Sequence, residues 1–235
     1  MQYQIPEYYD AIYEWKDYEA ESRRVHELVG EYGRSSGRRL LDMACGTGAH
    51  LVHLADHYEV EGADHDPSML ELARAKLPGV PFHVADMRNG HVGEFDVVLC
   101  LFSSIGYMKD LEQLREACRN LSGQLVAGGV LLLEPFIRPE AFRDGSVHMQ
   151  TVDRPELKVA RVARSWIEGR LAVMEMHHLI GTPPEVRHVV ERHEMFLSSR
   201  EEMQGALEEC GLTVHYDDEG LSRRGLFVAT KPISP

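Results

Sequence analysis

The chain has 235 residues, enough for one large α/β domain whose core needs no disulfide support. Its 38 acidic against 25 basic residues give a formal net charge of −13, which argues against nucleic acid or an anionic membrane as the main partner. Cys45, Cys100, Cys118 and Cys210 are scattered without a C-x-x-C pair, so they read as reduced thiols of a cytoplasmic protein and not as zinc ligands or disulfides; the first 20 residues show no signal-peptide core, and no apolar run reaches membrane-spanning length.

In chain order, residues from Glu7 to about Tyr32 carry apolar positions at helical spacing (Ala11, Val25, Leu28, Val29) and predict one or two helices. A strand over Arg39–Ala44 runs into Gly46-Thr47-Gly48, and a helix follows to about His57. A second strand ends at Asp64. Asp66-Pro67 then opens a helix, with Asp66 as its cap and Pro67 at its first position, and that helix stops before Pro78-Gly79. A third strand ends at Asp86. Phe95–Leu101 is an almost unbroken apolar run, as expected of a central parallel strand. A helix over Leu111–Leu121 and a strand over Gly129–Glu134 complete an alternation that predicts an α/β, doubly wound parallel sheet. Gly46, Asp64, Asp86, Phe102 and Glu134 all fall at carboxyl ends of strands, the rim where such sheets build their sites.

After Pro139 the period shortens. Segments near 147–152, 157–166, 170–180 and 187–197 predict antiparallel strands joined by turns at Arg154-Pro155, Glu168-Gly169 and Thr182-Pro183-Pro184. A helix near 200–210 and strands near 212–217 and 225–230 follow. The organisation expected is a single domain over 1–235, with N-terminal helices over about 1–35 and an antiparallel β-insertion over about 140–198 covering the site. Strand edges of the insertion offer pairing in a homodimer.

Leu51 occupies the place of the third glycine of a dinucleotide fingerprint, which disfavours a nicotinamide enzyme, and no phosphate-cradling lysine follows the loop. His50, His53 and His57 share one helix face; three imidazoles on a stripe could bind a metal, but the pattern reads better as an exposed polar face, and no metal is expected. His177 and His178 are adjacent in a strand and point to opposite faces, a poor ligand pair.

Leu41-Asp42-Met43-Ala44-Cys45-Gly46-Thr47-Gly48, with Asp64 after it, resembles the first motif of class I S-adenosylmethionine-dependent methyltransferases. Further segments resemble a narrower group, the N,N-dimethyltransferases of nucleotide-linked (dTDP) aminosugars: Glu7-Tyr8-Tyr9-Asp10, Phe102-Ser103-Ser104-Ile105-Gly106, Glu134-Pro135, His188 through Glu191 to Phe196, and Arg224-Gly225-Leu226-Phe227. The resemblance implies a Rossmann-like methyltransferase fold, S-adenosyl-L-methionine as cofactor and a small-molecule methyl acceptor. It implies that Ala44, Gly46, Gly48 and Leu101 lie along the cofactor, that Asp64 holds its ribose, that Asp86 and Met87 flank its adenine, and that Tyr9 and Tyr18 close over it. Ser104, Tyr107, Glu134 and Arg224 are then the acceptor residues, Arg224 suited to a diphosphate. Tyr107 stands where those enzymes typically carry a histidine, and its hydroxyl could orient the amine; His188 is the second candidate catalytic group. O-methylation of a hydroxylated metabolite would need a positioned base, which His188 or His193 could supply. A cofactor-binding subunit without turnover is the alternative outside enzymes.

Overall fold

A computed structural model describes residues 3–233. The N-terminal segment forms a 3-10 turn at Pro6–Tyr8 and the short helix α1 (Tyr9–Ile12), then α2 (Tyr18–Tyr32), capped by Asp17 on the Ala20 amide. There follow β1 (Arg39–Met43), α3 (Ala49–Leu54), β2 (Glu59–Asp64), α4 (Pro67–Lys76), β3 (Phe82–Val84), β4 (Phe95–Cys100), α5 (Leu111–Gly123) and β5 (Leu125–Leu133). Four long strands come next, β6 (Ser146–Arg154), β7 (Leu157–Glu168), β8 (Leu171–Thr182) and β9 (Glu185–Phe196). The chain closes with α6 (Arg200–Glu208), β10 (Thr213–Asp217) and β11 (Leu226–Thr230). Asp66 caps α4 ahead of Pro67 as the sequence predicts, and Ser199 with Glu202 forms a capping box on α6.

The large sheet has the order β10-β11-β5-β4-β1-β2-β3. Pairs within β3-β2-β1-β4-β5 are parallel, but β11 is antiparallel to both of its neighbours. The reversal follows from connectivity: β10 and β11 are joined by a short loop, so β11 must return along its partner, and it slots between β10 and β5. Period-two alternation divides the core. Leu41, Met43, Val98, Cys100, Leu131 and Leu133 face α5 and α6, while Leu40, Val97, Leu99, Val130 and Leu132 face α2, α3 and α4. All six residues of β4 are buried, as a central strand covered on both faces requires.

The four later strands form a separate antiparallel sheet, β6-β7-β8-β9. Its inner face contributes Val152, Val159 and Ile180 to a cluster with Ile5, Ala11 and Ile12, so the N-terminal segment lies directly beneath it. At its other end Ala172 and Met195 pack with Phe136.

The histidine stripe on α3 requires a correction. His50 is buried, with Nε2 2.8 Å from Glu21 Oε2, and Glu21 also pairs with the buried Lys16. Only His57 is fully exposed, stacked on His26. α3 is short and lies against α2, so the face toward α2 is interior whatever its polarity.

Candidate active site

β1 ends in a turn with three successive departures from ordinary backbone. Ala44, Gly46 and Gly48 have φ of 66°, 55° and 74°. At Gly48 an added Cβ would also press on Ala73 at 3.4 Å, where α4 crosses. The Asp64 carboxylate, at the end of β2, holds this turn from the side: Oδ2 accepts the Gly46 amide at 2.8 Å and Oδ1 the Asp66 amide at 2.9 Å. Burial raises its carboxyl above the usual range, and these amides counter part of that.

A cavity of about 310 Å³ opens at this rim. Of the residues expected from sequence, Tyr9, Ala44, Gly46, Asp64, Asp86, Met87, Ser104 and Tyr107 line it. A narrow annex, sharing Tyr9, Ala44, Gly46 and Ser104 with the cavity, is lined by Tyr18 and Leu101, and by Asp42 beneath the turn. Burial, reinforced by the Asp64 charge, pushes the Asp42 carboxyl up to about 8. Asp86 pairs through both oxygens with the Arg88 guanidinium, which holds its carboxyl below the usual range.

The N-terminal segment closes the cavity. Tyr3 and Tyr9 line it, their rings 5.3 Å apart edge to face. The segment is tied down at several points: Tyr3 N–H donates to Asp66, Gln4 N–H to Glu191, and Asp10 pairs with both Thr47 and Lys76. Tyr18 packs edge-on against His50, and the Lys16 ammonium lies over the Phe102 ring at 4.5 Å.

β4 delivers a second strained turn. Phe102 and Ser103 have φ of 51° and 63°, and the 3-10 turn Ser104–Tyr107 follows. Glu134, fully buried at the end of β5, secures it: its carboxylate accepts the Phe102 amide at 2.6 Å and the Ser222 hydroxyl. Glu134 therefore lines neither cavity, and its observed contacts are internal. Arg224, in the loop before β11, donates from Nη1 to Ser103 Oγ at 2.8 Å and lies over Phe102 at 5.8 Å. It backs the same turn without lining the cavity. Gly48 shapes the β1 turn from outside the cavity wall.

His188 is not brought to the site. In β9 residues 189, 191, 193 and 195 face inward, and His188 points outward, where Nε2 lies 3.1 Å from His177 Nδ1. His193 is the inward histidine, with Nδ1 2.7 Å from the Tyr107 hydroxyl. Sequence reasoning also missed Tyr3, His65 and Met69 in the cavity wall. Of these only His65, next to Asp64 at a strand end, carried a positional signal.

The cavity suits S-adenosyl-L-methionine on observed grounds. The strained turn borders the cavity with only the small residues Ala44 and Gly46, and a buried carboxylate stands beside it to accept from a diol.

Comparison with known proteins agrees. Residues 40–129 match the family model described as a methyltransferase domain. The chain is 39% identical over 94% of both chains to dTDP-3-amino-3,4,6-trideoxy-alpha-D-glucopyranose N,N-dimethyltransferase of Streptomyces venezuelae. It is 35% identical to dTDP-4-amino-2,3,4,6-tetradeoxy-D-glucose N,N-dimethyltransferase of Saccharopolyspora spinosa, covering 95% of this chain and 91% of that one. The S-adenosylmethionine-bound structure of CalS10, an amino pentose methyltransferase from Micromonospora echinaspora, superposes with a TM-score of 0.86 at 37% identity, covering 98% of each chain. The chain belongs to the S-adenosylmethionine-dependent methyltransferases, in the family that contains the dTDP-aminosugar N,N-dimethyltransferases.

Proposed function

We propose that the enzyme methylates the amine of a nucleotide-linked aminodeoxysugar, in two successive transfers. One observation carries this reading: the similarity to aminosugar dimethyltransferases runs through nearly the whole chain, including the second sheet over the cavity, and not only through the cofactor-binding half. In this reading the chain works as a single unit and the second sheet, within residues 140–198, covers the acceptor.

The cofactor supplies an electrophilic methyl group on a good leaving group, so the protein's part is to align, desolvate and keep the amine neutral. Ala44, Gly46, Gly48 and Leu101 shape the groove for the methionine portion, and Asp64 accepts from the ribose hydroxyls. Asp86 and Met87 border the adenine. Tyr9 and Tyr18 exclude water from above. Ser104 and Tyr107 face the acceptor, and Tyr107 orients the amine. Glu134 acts through the Phe102 turn, and Arg224, adjoining that turn, meets the diphosphate. His188 has no part, since it faces away. We place the enzyme in the cytoplasm, in keeping with four unpaired cysteines; among the described residues no helix is long and apolar enough to cross a membrane.

A second copy of the chain pairs through the second sheet, whose edge strands are β6 and β9 and whose outer face carries Met149, Val162 and Val190 in one cross-strand row, with His177 between the two valines. Light scattering tests this, and a monomer at micromolar concentration refutes it.

The test of function is methyl transfer from labelled S-adenosylmethionine to nucleotide-linked 3-amino and 4-amino deoxysugars, with simple amines and hydroxylated metabolites alongside, products read by mass. A gain of two methyl groups on an aminosugar is expected. Methylation of a hydroxylated metabolite instead would assign O-transfer.

A further inference from the structure

A polar cluster behind Tyr107 has no role in holding either substrate. His193, Glu191 and His178 are 3%, 4% and 2% exposed, yet three of the four imidazole nitrogens among them make no hydrogen bond. His193 Nε2 lies 3.8 Å from Glu191 Oε2, and His178 Nε2 lies 3.2 Å from the same oxygen. Neither of those nitrogens, nor His178 Nδ1, makes an aligned hydrogen bond. Glu191 Oε1 accepts the Gln4 amide at 2.8 Å. Burial alone would raise the Glu191 carboxyl, but His178, His193 and the Gln4 amide outweigh it and hold the group well below the usual range. A purely structural cluster would be more stable as apolar side chains of similar volume.

The Glu191 charge favours one tautomer of His193. An ionised carboxylate attracts and never donates hydrogen, so the tautomer with hydrogen on the ring nitrogen nearer Glu191 is the one the relay uses, and it leaves Nδ1 to accept from Tyr107. The Tyr107 hydroxyl then donates to Nδ1, and the Tyr107 side chain lines the cavity beside Tyr3, whose hydroxyl also meets it. Every group facing His193 fits this arrangement: Tyr107 from the turn after β4, His178 from β8, Glu191 from its own strand, and the Tyr3 ring 5.8 Å away. Arg161 of β7 lines the same small void beneath the N-terminal segment.

We propose that Tyr107 and His193 form a proton relay that neutralises the acceptor ammonium, with Glu191 and His178 as positioning residues. The inference rests on the N-methylation reading above. An alkylamine is largely protonated at neutral pH and cannot attack until it loses a proton. The acceptor N–H bond breaks and its proton passes to Tyr107 Oη, while the Tyr107 hydroxyl proton moves to His193 Nδ1. The nitrogen keeps the electron pair, and the imidazolium is balanced by Glu191. The first methyl transfer leaves an ammonium on the nitrogen, and the relay serves the second transfer once His193 has returned its proton to solvent.

The full-length His193→Gln and Glu191→Gln variants test it. At pH 7 kcat should fall about 100-fold, within the range of positioned acid–base groups. The deficit should close toward pH 9–10, where the amine is neutral unaided, while cofactor affinity stays constant. A deficit independent of pH, or none, overturns the relay. A second arm needs no acceptor. In nitrogen-15 imidazole spectra, the resonances lost in His193→Gln identify His193. They should report the neutral Nε2–H tautomer, and Tyr107→Phe should shift its Nδ1 signal. An Nδ1–H tautomer, or no response to Tyr107→Phe, refutes the relay even if one glutamine variant fails to fold. Because this arm is independent of turnover, failure of every aminosugar as acceptor would count against the acceptor assignment and not against the relay.

Discussion

Under the proposed placement of the cofactor, Asp42 makes its groove sensitive to pH. The side chain is 2% exposed, lies beneath the Ala44–Gly48 turn, and has its carboxyl pushed up to about 8 by burial and by Asp64. The native state therefore holds a proton that the unfolded chain releases near 3.8. Between those values the folded form binds more protons, so stability from this group is full below about 3.8, falls as pH rises, and levels off past about 8. The slope approaches about 1.4 kcal/mol per pH unit, which gives about 3–4 kcal/mol lost between pH 5 and 8. Asp42→Asn removes the titration while keeping the shape of the protonated acid. Urea unfolding without cofactor, from pH 5 to 9, should show wild-type stability minus variant stability falling by that amount and then holding flat. The cofactor carries positive charge on its sulfonium and ammonium groups, which favours the Asp42 carboxylate. Calorimetry near pH 7, in buffers of different ionisation enthalpy, should therefore detect proton release on binding in the wild type and less in Asp42→Asn. Parallel stability curves for the two proteins would refute the reasoning.

Asp64→Ala should weaken cofactor binding by about 1.5–3 kcal/mol, the range of hydrogen bonds to charged groups, or roughly 10- to 150-fold by calorimetry; unchanged affinity would remove Asp64 from the ribose. Arg224→Ala should raise KM for a nucleotide-linked acceptor with cofactor affinity intact, and an equal loss in both would make the guanidinium a brace for Ser103 alone. Glu134→Ala removes the partner of the half-buried Phe102 amide and should cost about 1–3 kcal/mol in denaturant unfolding, with a neutral result refuting its role in securing that turn.

The strand–helix alternation and the rim of strand ends were legible in the sequence because each rests on local pattern: an apolar run into Gly46, an acid closing β2, Pro67 opening α4. What was not legible depends on phase and on distant partners. In Arg187-His188-Val189-Val190-Glu191-Arg192-His193 both alternating sets contain polar residues, so hydrophobicity could not tell which histidine faces in, and His188 was chosen over His193. Glu134 looked like a site acid because its partner, Ser222, arrives 88 residues later. His50 is interior because Glu21 reaches it from another helix, a pairing that no spacing along α3 reveals. The direction of β11 was set by its short connection to β10, which the alternation of strands and helices did not encode.

The ties of the N-terminal segment also bear on how the enzyme is made. Gln4 reaches Glu191 across 187 residues of sequence, and Ile12 and Glu14 are held by Gln150 and Arg154. These first residues leave the ribosome before any of their partners exist. They must wait, solvated, until the fourth strand of the second sheet has been synthesised. The cavity is roofed by the N-terminal segment only after β9 has emerged, so a nascent product that stops short of β9 would carry the glycine turn without this cover. That cover is thereby deferred until β9 has been made.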